Sequence, residues 1–400
     1  MAGQCRYLPG ALLRHAFALL CVLLCVLLAG CNPSAPAATD TAIPAEPTLF
    51  ELGGSTMGTH YRVVYSIAGA DSVSAIPEPQ RPGALHAVVQ QRLDMINNLM
   101  STWDPESQLS LFNRSSHTDW VALAPATLAL ITVASKISDQ TEGAYDITMA
   151  PLLELYGFGA SAHGRQTPPV PSATAIEAAL QQVGWRHLDI SDDGLRVRKS
   201  QPDLQIDLSS IAKGYAVDEL GRLLEARGVN HYLVDIGGEL RSRVATAQHR
   251  PWRIGLDVPR RDRLAAAQGK ASGDQAQTTH TNDTAETSAG LLVRDAYVAT
   301  SGDYRNYRQQ DGRRISHLID ARDGKPVAHG LTAVTVLHET TALADAWATA
   351  FMVLGVKASM LLAESEAIAV LLIEHVDRGD AGASFKVHRS TAMQRLQPQL

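Results

Sequence analysis

The sequence predicts a single domain in which several α-helices pack on β-strands. Two observations lead to this prediction. Segments with alternating apolar and polar residues, typical of strands, are interspersed with segments whose apolar residues recur every three or four positions, typical of helices. In addition, the chain has 400 residues and 45% of them are hydrophobic, which is sufficient for a large core.

In the N-terminal half, folded structure is predicted to begin near Leu49. Residues 59–69 alternate in polarity and predict a strand, whereas residues 84–101 place apolar side chains on one face and predict an amphipathic helix. Two further helices are predicted at 125–140 and 172–183, and each ends shortly before a glycine.

In the C-terminal half, the segment SIAKGYAVDELGRLLEARG predicts a helix that begins at Asp207 or Ser209 and ends at Gly228. The segment LADAWATAFMVLG (343–355) predicts a second, mostly apolar helix, and another short helix follows it. Strands are predicted at 231–240, 252–259, 291–302, 315–320, 331–339 and 367–375.

Two segments lack the periodicity of helices and strands. Residues 32–48 are rich in Pro, Ala, Ser and Thr and predict a flexible tether. Residues 262–290 contain no aromatic residue and predict a disordered surface insertion. The folded domain is therefore predicted to span residues 49–400, interrupted by this insertion.

The N-terminus is predicted to be a targeting segment, residues 1–31. It carries positive charge at Arg6 and Arg14, an apolar stretch at 18–28, and small residues before Cys31. The sequence LLAGC resembles a bacterial lipobox, which implies that Cys31 is lipidated and tethers an exported protein to a membrane. An ordinary secretory signal or a single membrane anchor is the alternative.

The cysteines exclude several kinds of chemistry. All four of them, Cys5, Cys21, Cys25 and Cys31, lie in the targeting segment. After processing, the folded domain therefore has no thiol for a disulfide, a nucleophile or a zinc site.

Charge and motifs exclude other classes of function. The net charge is −6, with no run of Lys or Arg, so nucleic-acid binding is not expected. The chain lacks a P-loop, a nucleophile elbow and clustered histidines. The segment GFGASA (157–162) fits a dinucleotide-binding pattern, but it follows a helix-like segment rather than a strand.

Polar side chains collect beside glycine-containing turns, and we expect these turns to share one cleft. Asp345 and Thr349 add a carboxylate and a hydroxyl, four residues apart, to one face of the apolar helix. On spacing alone, helix capping with back-bonding and Mg²⁺ binding are equally good explanations. The turns are at 143–148, 207–215, 235–240, 300–304 and 316–324.

The motifs together resemble those of the ApbE-like flavin transferases, the FAD:protein FMN transferases once described as thiamine-biosynthesis lipoproteins. The resemblance runs from STMGTHYRV (55–63) to the C-terminal strand, and order and spacing make it specific. It implies an α+β fold with a mixed β-sheet core. The other motifs are MSTWDPESQLSLFN, GAYDITMAPLLELYGFG, IDLSSIAKGYAVDEL, YLVDIGGEL, VATSGDYRNY, SHLIDARDGKP and ALADAWATAFMVLG.

This resemblance implies a Mg²⁺-dependent reaction that cleaves FAD, attaches FMN through a phosphodiester to a threonine of another protein, and releases AMP. The implied Mg²⁺ ligands are Asp345, Thr349 and the backbone carbonyl of Ala212. His317 is our candidate for the general base, because imidazole is about half deprotonated near neutral pH; a structural histidine that fixes a strand end is the alternative. The implied flavin-nucleotide residues are Met57, Trp103, Ala144, Tyr145, Asp146, Ser209, Tyr215 and Ile319.

The resemblance also implies partners and a location. The acceptor is expected to be an exported subunit of a membrane redox complex, such as the Na⁺-translocating quinone reductase or the Rnf complex. The protein is expected to face the periplasm on the inner membrane. Two alternatives remain: an FAD pyrophosphatase, although hydrolases of the family tend to have asparagine in place of Trp103, and a non-catalytic flavin-binding lipoprotein.

Overall fold

A large antiparallel sheet forms the centre of the fold. Among the described residues it has eight strands, and all neighbouring strands pair antiparallel. In spatial order they are β1 (Phe50–Thr56), β2 (Thr59–Ser66), β6 (His231–Ile236), β7 (Glu239–Arg243), β10 (Ala296–Gly302), β15 (Leu331–His338), β16 (Ala369–Asp377) and β17 (Ala383–Arg389).

The computed structural model describes residues 48–160, 168–246, 249–255, 290–302, 307–310, 313–377 and 383–398. The predicted targeting segment with Cys31, almost all of the tether and almost all of the insertion lie outside these residues. Smaller pairings complete the strands: β3 (Val121–Ala122), β4 (Leu188–Ile190) and β5 (Arg196–Lys199) form one sheet, β8 (Trp252–Gly255) pairs with β9 (Gly290–Val293), β11 (Tyr307–Gln310) with β12 (Arg313–Ser316), and β13 (Ile319–Asp320) with β14 (Lys325–Pro326).

Helices cover the sheet and pack on one another. Those of the described ranges are α1 (Pro82–Met100), α2 (Gln108–Arg114), α3 (Pro125–Gln140), α4 (Ala150–Leu155), α5 (Ala173–Leu180), α6 (Ala212–Glu225), α7 (Thr341–Ser365) and α8 (Thr391–Leu396). The α+β class is therefore confirmed.

The pairing of the strands differs from the mixed sheet that was expected. Tight turns join consecutive strands, at Met57–Gly58 between β1 and β2 and at Gly237–Gly238 between β6 and β7. Such turns connect antiparallel neighbours, whereas a parallel pair needs a long crossover. The predicted strand 231–240 is consequently a hairpin, β6 and β7.

Several other element boundaries also differ. The predicted strand 291–302 is two strands, β9 and β10, and the apolar helix continues to Ser365. The chain after the predicted last strand forms β17 and α8, which the sequence patterns did not reveal. By contrast, α3 has the predicted bounds, Pro125–Gln140.

Helix α7 is the central helix of the main core, and it breaks at one glycine. Gly355 has φ 72° and ψ 173°, outside the helical range. The break leaves carbonyls without helical partners, and Ser359 Oγ donates a hydrogen bond to one of them, the Phe351 carbonyl (2.9 Å). By length and composition alone, α7 could cross a membrane. However, 56% of its most apolar 18-residue stretch is buried in the protein, as in a core helix.

The sheet separates two hydrophobic cores. Helices α6 and α7 pack on one face, and the paired strands β8 and β9 together with α8 contribute to the core on the other. Alternate residues of β15 enter the two cores: Val334 and Val336 face the first, and Ala333 and Leu337 face the second. The central strands therefore hold the helices above them in a fixed position.

Candidate functional site

The N-terminal ends of α6 and α7 lie against each other, and each is capped by a carboxylate from the other helix. Asp218 of α6 accepts hydrogen bonds from the backbone N–H groups of Thr341 (3.0 Å) and Ala342 (3.1 Å). Asp345 of α7 accepts one from the N–H of Gly214 (3.0 Å), in the first turn of α6. First-turn amides lack partners within their own helix and favour negative charge, so this carboxylate exchange stabilises both helix ends.

Gly214 permits this approach because it has no side chain. A Cβ at this position would lie 2.3 Å from the carbonyl oxygen of Thr341 and 2.7 Å from Cα of Ala342. Both atoms belong to the backbone, so no side-chain rotation could relieve the overlap. The glycine of the AKGY segment therefore serves helix packing rather than a turn.

A second acidic residue and a lysine accompany Asp345. Lys213 Nζ lies 3.4 Å from Glu239 Oε1 and 3.7 Å from Asp345 Oδ2, and the two carboxylate side chains are only 4% and 5% exposed. The carboxyl groups of Glu239 and Asp345 also lie close enough to interact with each other. Burial raises the pKa of Asp345, whereas the Lys213 ammonium and the Gly214 amide act to lower it.

Thr349 lies one turn after Asp345 on the same side of α7. Its hydroxyl makes no hydrogen bond to the part of the chain that the structure describes. The N-cap of α7 is Thr340, whose hydroxyl accepts from the Leu343 amide (3.2 Å). Neither residue therefore has the role that the capping explanation gave it: Asp345 caps the neighbouring helix, and Thr349 does not bond back to a carbonyl.

The implied metal ligands near this junction are all oxygen atoms, the donor type that a small hard cation prefers. The donors are the Asp345 carboxylate, the Thr349 hydroxyl and the Ala212 carbonyl in the first turn of α6. Such oxygen atoms suit Mg²⁺. The two buried carboxyl groups beside the Lys213 ammonium also provide negative charge that a bound cation would balance. This donor set contains only one acidic side chain. A metal site made of three or more His, Cys, Asp or Glu side chains is not found among the described residues.

Two predicted flavin residues lie in loops that are joined to each other at the start of α6. The Tyr145 hydroxyl is hydrogen bonded to Ser210 Oγ (3.0 Å), and the Asp207 amide donates to the Ile147 carbonyl (2.7 Å). Burial raises the pKa of Tyr145, and the nearby Asp345 carboxylate adds to that effect. The structure thus brings Tyr145, Ser209 and the donors at the helix junction into one region.

Asp146 and Ala144 belong to the same loop, but both are buried. The Asp146 carboxylate accepts hydrogen bonds from the amide and hydroxyl of Thr148 (2.8 and 2.7 Å) and from the Trp185 amide (3.0 Å). These bonds fix the loop from within. A direct role of Asp146 or Ala144 in binding the flavin nucleotide stays a prediction.

Met57 occupies a strained turn. It has φ 48°, in the left-handed region, and is followed by Gly58 with φ 71°. Methionine is rarely found in this region, where residues with a Cβ are strained, and such strain often marks a functional turn. The described contacts do not connect Met57 with Asp345.

Trp103 and Tyr215 differ in their exposure to solvent. The Trp103 side chain, between α1 and α2, is 56% exposed, as expected for a ring that stacks on a ligand. Tyr215 of α6 is half-buried against the main core, and burial raises its phenol pKa. The described contacts do not bring Tyr215 to the Asp345 cluster.

His317 and Ile319 belong to a segment that packs beside α7 through β13. The His317 ring meets the ring of Phe158 edge-on, with 6.2 Å between centroids. Ile319 is fully buried in a small separate core that contains Leu152 and Tyr156. Its side chain is therefore enclosed by protein.

The GFGASA segment is the end of a helix. Gly157 has φ 75°, and the Phe158 amide donates to the Leu153 carbonyl (2.8 Å), a helix-ending hydrogen bond. This geometry agrees with the sequence context, which did not favour a dinucleotide-binding turn. The last two residues of the segment lie outside the described residues.

Glu239 is the site residue that the sequence patterns did not single out. It follows the two glycines of the β6–β7 hairpin, and nothing in its local sequence distinguishes it from a residue at the edge of a sheet. Only the fold places its side chain beside Lys213 and Asp345.

Known proteins share this architecture. A model of the ApbE family matches residues 57–372. A protein named FAD:protein FMN transferase from Klebsiella pneumoniae (strain 342) is 38% identical over 351 residues, which are 87% of this chain and 89% of that protein. The solved structure of the Pseudomonas stutzeri flavinyl transferase ApbE, apo form, is 34% identical, with a TM-score of 0.70 and coverage of 88% of this chain and 98% of that one.

A second solved structure, the flavin transferase ApbE from Vibrio cholerae, is 32% identical, with a TM-score of 0.69 and coverage of 87% of this chain and 99% of that one. The family match includes the segments that contribute Tyr145, Glu239 and Asp345. Because sequence, fold and extent of the match agree, the chain belongs to the ApbE family.

Proposed function

We propose that the protein is an FAD:protein FMN transferase, which cleaves FAD, attaches FMN to a threonine of an acceptor protein and releases AMP. The observation that carries the proposal is the group of oxygen donors at the junction of α6 and α7, next to the Lys213 ammonium. The name of the relatives supports the reaction.

The site residues match the demands of phosphoryl transfer, which needs positive charge at the phosphates and fixed alignment of the attacking and leaving oxygens. Asp345, Thr349 and the Ala212 carbonyl would hold Mg²⁺, which when bound neutralises charge on the phosphate oxygens. Lys213 adds a fixed positive charge at the same place. The carboxylate exchange keeps the oxygen donors of α6 and α7 at fixed positions relative to each other.

His317 is the proposed general base, since imidazole titrates near neutral pH. It would take the proton from the threonine hydroxyl while that oxygen forms a bond to the FMN phosphorus. The bond between this phosphorus and the bridging oxygen then breaks, and AMP leaves with the electron pair. The edge contact with Phe158 restricts rotation of the His317 ring.

The remaining proposed contacts hold the flavin nucleotide. Trp103 would stack on a planar ring, and Met57, Tyr145, Ser209 and Tyr215 would line the binding region. Ala144, Asp146 and Ile319 would act through the backbone, because their side chains are buried.

The proposed setting is a membrane facing the periplasm. The lipobox-like LLAGC sequence supports attachment through a lipidated Cys31. The proposed acceptors are exported subunits of membrane redox complexes of the Na⁺-translocating quinone reductase or Rnf type.

The function can be tested with the purified full chain, FAD, Mg²⁺ and a candidate acceptor subunit. Mass spectrometry should find the mass of FMN on one threonine of the acceptor, together with AMP in equal amount. Asp345→Ala should abolish both products, whereas Asp192→Ala, which removes an exposed carboxylate, should not change them.

Two results would contradict transfer. If AMP appears equally fast without an acceptor, the protein is an FAD pyrophosphatase. If the protein binds FAD without cleaving it, and Asp345→Ala changes only its metal content, the protein is a flavin-binding lipoprotein.

A further inference from the structure

We propose that Lys213 competes with the divalent cation for Asp345, and that Glu239 limits this competition by holding the Lys213 ammonium. The inference rests on the proposed function, since it concerns the cation of that reaction. It assigns Lys213 and Glu239 a positioning role: together they set how readily the metal site fills.

The position of the ammonium group is the first argument. Lys213 Nζ lies between two carboxylates, 3.4 Å from Glu239 Oε1 and 3.7 Å from Asp345 Oδ2, and it also donates to the Ser209 carbonyl (3.3 Å). The distances to the two carboxylates are similar. The ammonium therefore already places positive charge next to a proposed metal ligand.

Charge balance is the second argument. Two buried carboxyl groups share the Lys213 ammonium, and buried carboxylates need compensation by hydrogen bonds or opposite charge. A cation bound at Asp345 would supply that compensation, but it would also repel the Lys213 ammonium a few ångströms away. Glu239 then offers the ammonium a second carboxylate partner.

The rigidity of Glu239 is the third argument. It is the first residue of β7, directly after the Gly237–Gly238 turn, and its Cα is paired with Ile236 in the hairpin. The Gly238 amide donates to Asp235 Oδ1 (3.0 Å), which closes the turn. Because the backbone is fixed and the side chain is buried, Glu239 can hold the ammonium without reorganising.

The experiment measures Mn²⁺ binding to the full chain without FAD, from the loss of the free Mn²⁺ electron paramagnetic resonance signal. Lys213→Met should increase Mn²⁺ affinity by about tenfold, since one positive charge leaves the site. Glu239→Gln should decrease it by about tenfold, since the ammonium then remains on Asp345. Lys357→Met removes an exposed lysine from the same helix as Asp345 and should leave affinity unchanged.

The double variant decides whether Glu239 acts through Lys213. If it does, Glu239→Gln should reduce Mn²⁺ affinity far less in the Lys213→Met background than in the wild type. An equal reduction in both backgrounds would mean that Glu239 acts on the cation directly, and the proposed positioning role would be wrong. Circular dichroism checks folding, and Lys213→Gln replaces Lys213→Met if the latter misfolds.

Two further results separate this inference from the proposed function. Unchanged Mn²⁺ affinity in both Lys213 variants, with normal binding by the wild type, overturns the inference alone. If the wild type and Asp345→Ala bind Mn²⁺ equally poorly, the proposed metal site itself is wrong, and the inference falls with it.

Discussion

At the scale of single residues, the proposed metal site depends on a few oxygen atoms of α6 and α7. Asp345 uses Oδ2 to cap α6, and the Thr349 hydroxyl has no hydrogen-bond partner among the described residues. A helix face that is otherwise apolar keeps both groups at a fixed separation.

Thr349→Val tests this arrangement because valine has nearly the same shape and no hydroxyl. We expect the variant to fold normally, since no hydrogen bond to a described residue is lost, and to lose at least about tenfold in metal affinity and in flavin transfer. Thermal unfolding and a transfer assay over a range of Mg²⁺ concentrations measure both. Thr349→Ser should restore most of the activity; if valine is as active as serine, the hydroxyl is not a ligand.

His231 is a buried residue whose charge state links the fold to pH. Its ring stacks on that of Trp252 (4.8 Å between centroids) and lies next to that of His249 (4.4 Å between centroids), and its Nδ1 has no hydrogen-bond partner among the described residues. Burial lowers the pKa of His231 to about 4, and the His249 and Arg294 side chains add to this effect. The folded protein therefore holds this histidine neutral.

The pH dependence follows from the sign of this shift. Between pH 6.5 and about 4 the unfolded chain binds a proton at His231 that the folded protein does not. The free energy of unfolding is therefore not reduced by this residue above pH 6.5, and it decreases as the pH falls below 6.5. His231→Phe keeps a stacked ring without the titration. Its Tm should therefore fall less than that of the wild type from pH 7 to pH 4.5, by a few degrees; parallel Tm curves would contradict the assignment, and exposed His117→Phe serves as control.

The residues of the site could be predicted from the sequence where local pattern carries the information. Asp345 and Thr349 share a helix face, as predicted. Glu239 could not be found, because its position beside Lys213 depends on the pairing of β6 with β7 and on the packing of α6. The hydrogen bond from the Trp185 amide to the Asp146 carboxylate also depends on tertiary structure, because the two residues are distant in the sequence.

At the scale of elements, the contact between α6 and α7 determines where the donors lie. Helix periodicity predicted both helices, but it cannot predict that α7 continues past Gly355 or that the two N-termini cap each other. The continuation depends on contacts from outside the local sequence, such as His329 packed against Gly355. The capping depends on the absence of a side chain at Gly214.

Gly214→Ala should separate the two helices. The added methyl group would overlap the Thr341 carbonyl, so we expect a loss of about 3 kcal/mol in the free energy of unfolding and a large loss of transfer activity. Denaturant unfolding measures the first quantity. Gly83→Ala is the matched control, because its Cβ would meet no atom within 4 Å and alanine favours the helix; equal stability of the two variants would rule out the packing argument.

At the scale of the whole molecule, the sheet supports the site and the N-terminal segment carries the proposed membrane anchor. Apolar and polar periodicity was sufficient to predict an α+β domain, but the antiparallel order of the strands depends on pairing between distant segments such as β2 and β6. No local pattern encodes that pairing. The location of the protein rests on the LLAGC sequence alone.

Cys31→Ser tests the proposed anchor. We expect the variant to move from the membrane fraction to the soluble fraction and to lose labelling by radioactive palmitate, because serine cannot form the thioether. Cys21→Ser, within the apolar stretch, should remain labelled. Retention of the unlabelled Cys31 variant by the membrane would favour a transmembrane anchor, and labelling of this variant would place the lipid on another residue.

The carboxylate exchange between α6 and α7 also has a consequence for how the protein opens. Since the amides of Thr341 and Ala342 are bonded to Asp218, and that of Gly214 to Asp345, neither helix start can fray without releasing the other. In hydrogen–deuterium exchange, these three amides should behave as one cooperative unit with a common opening free energy. The helix junction that carries the proposed metal ligands is therefore expected to form and to open as a whole.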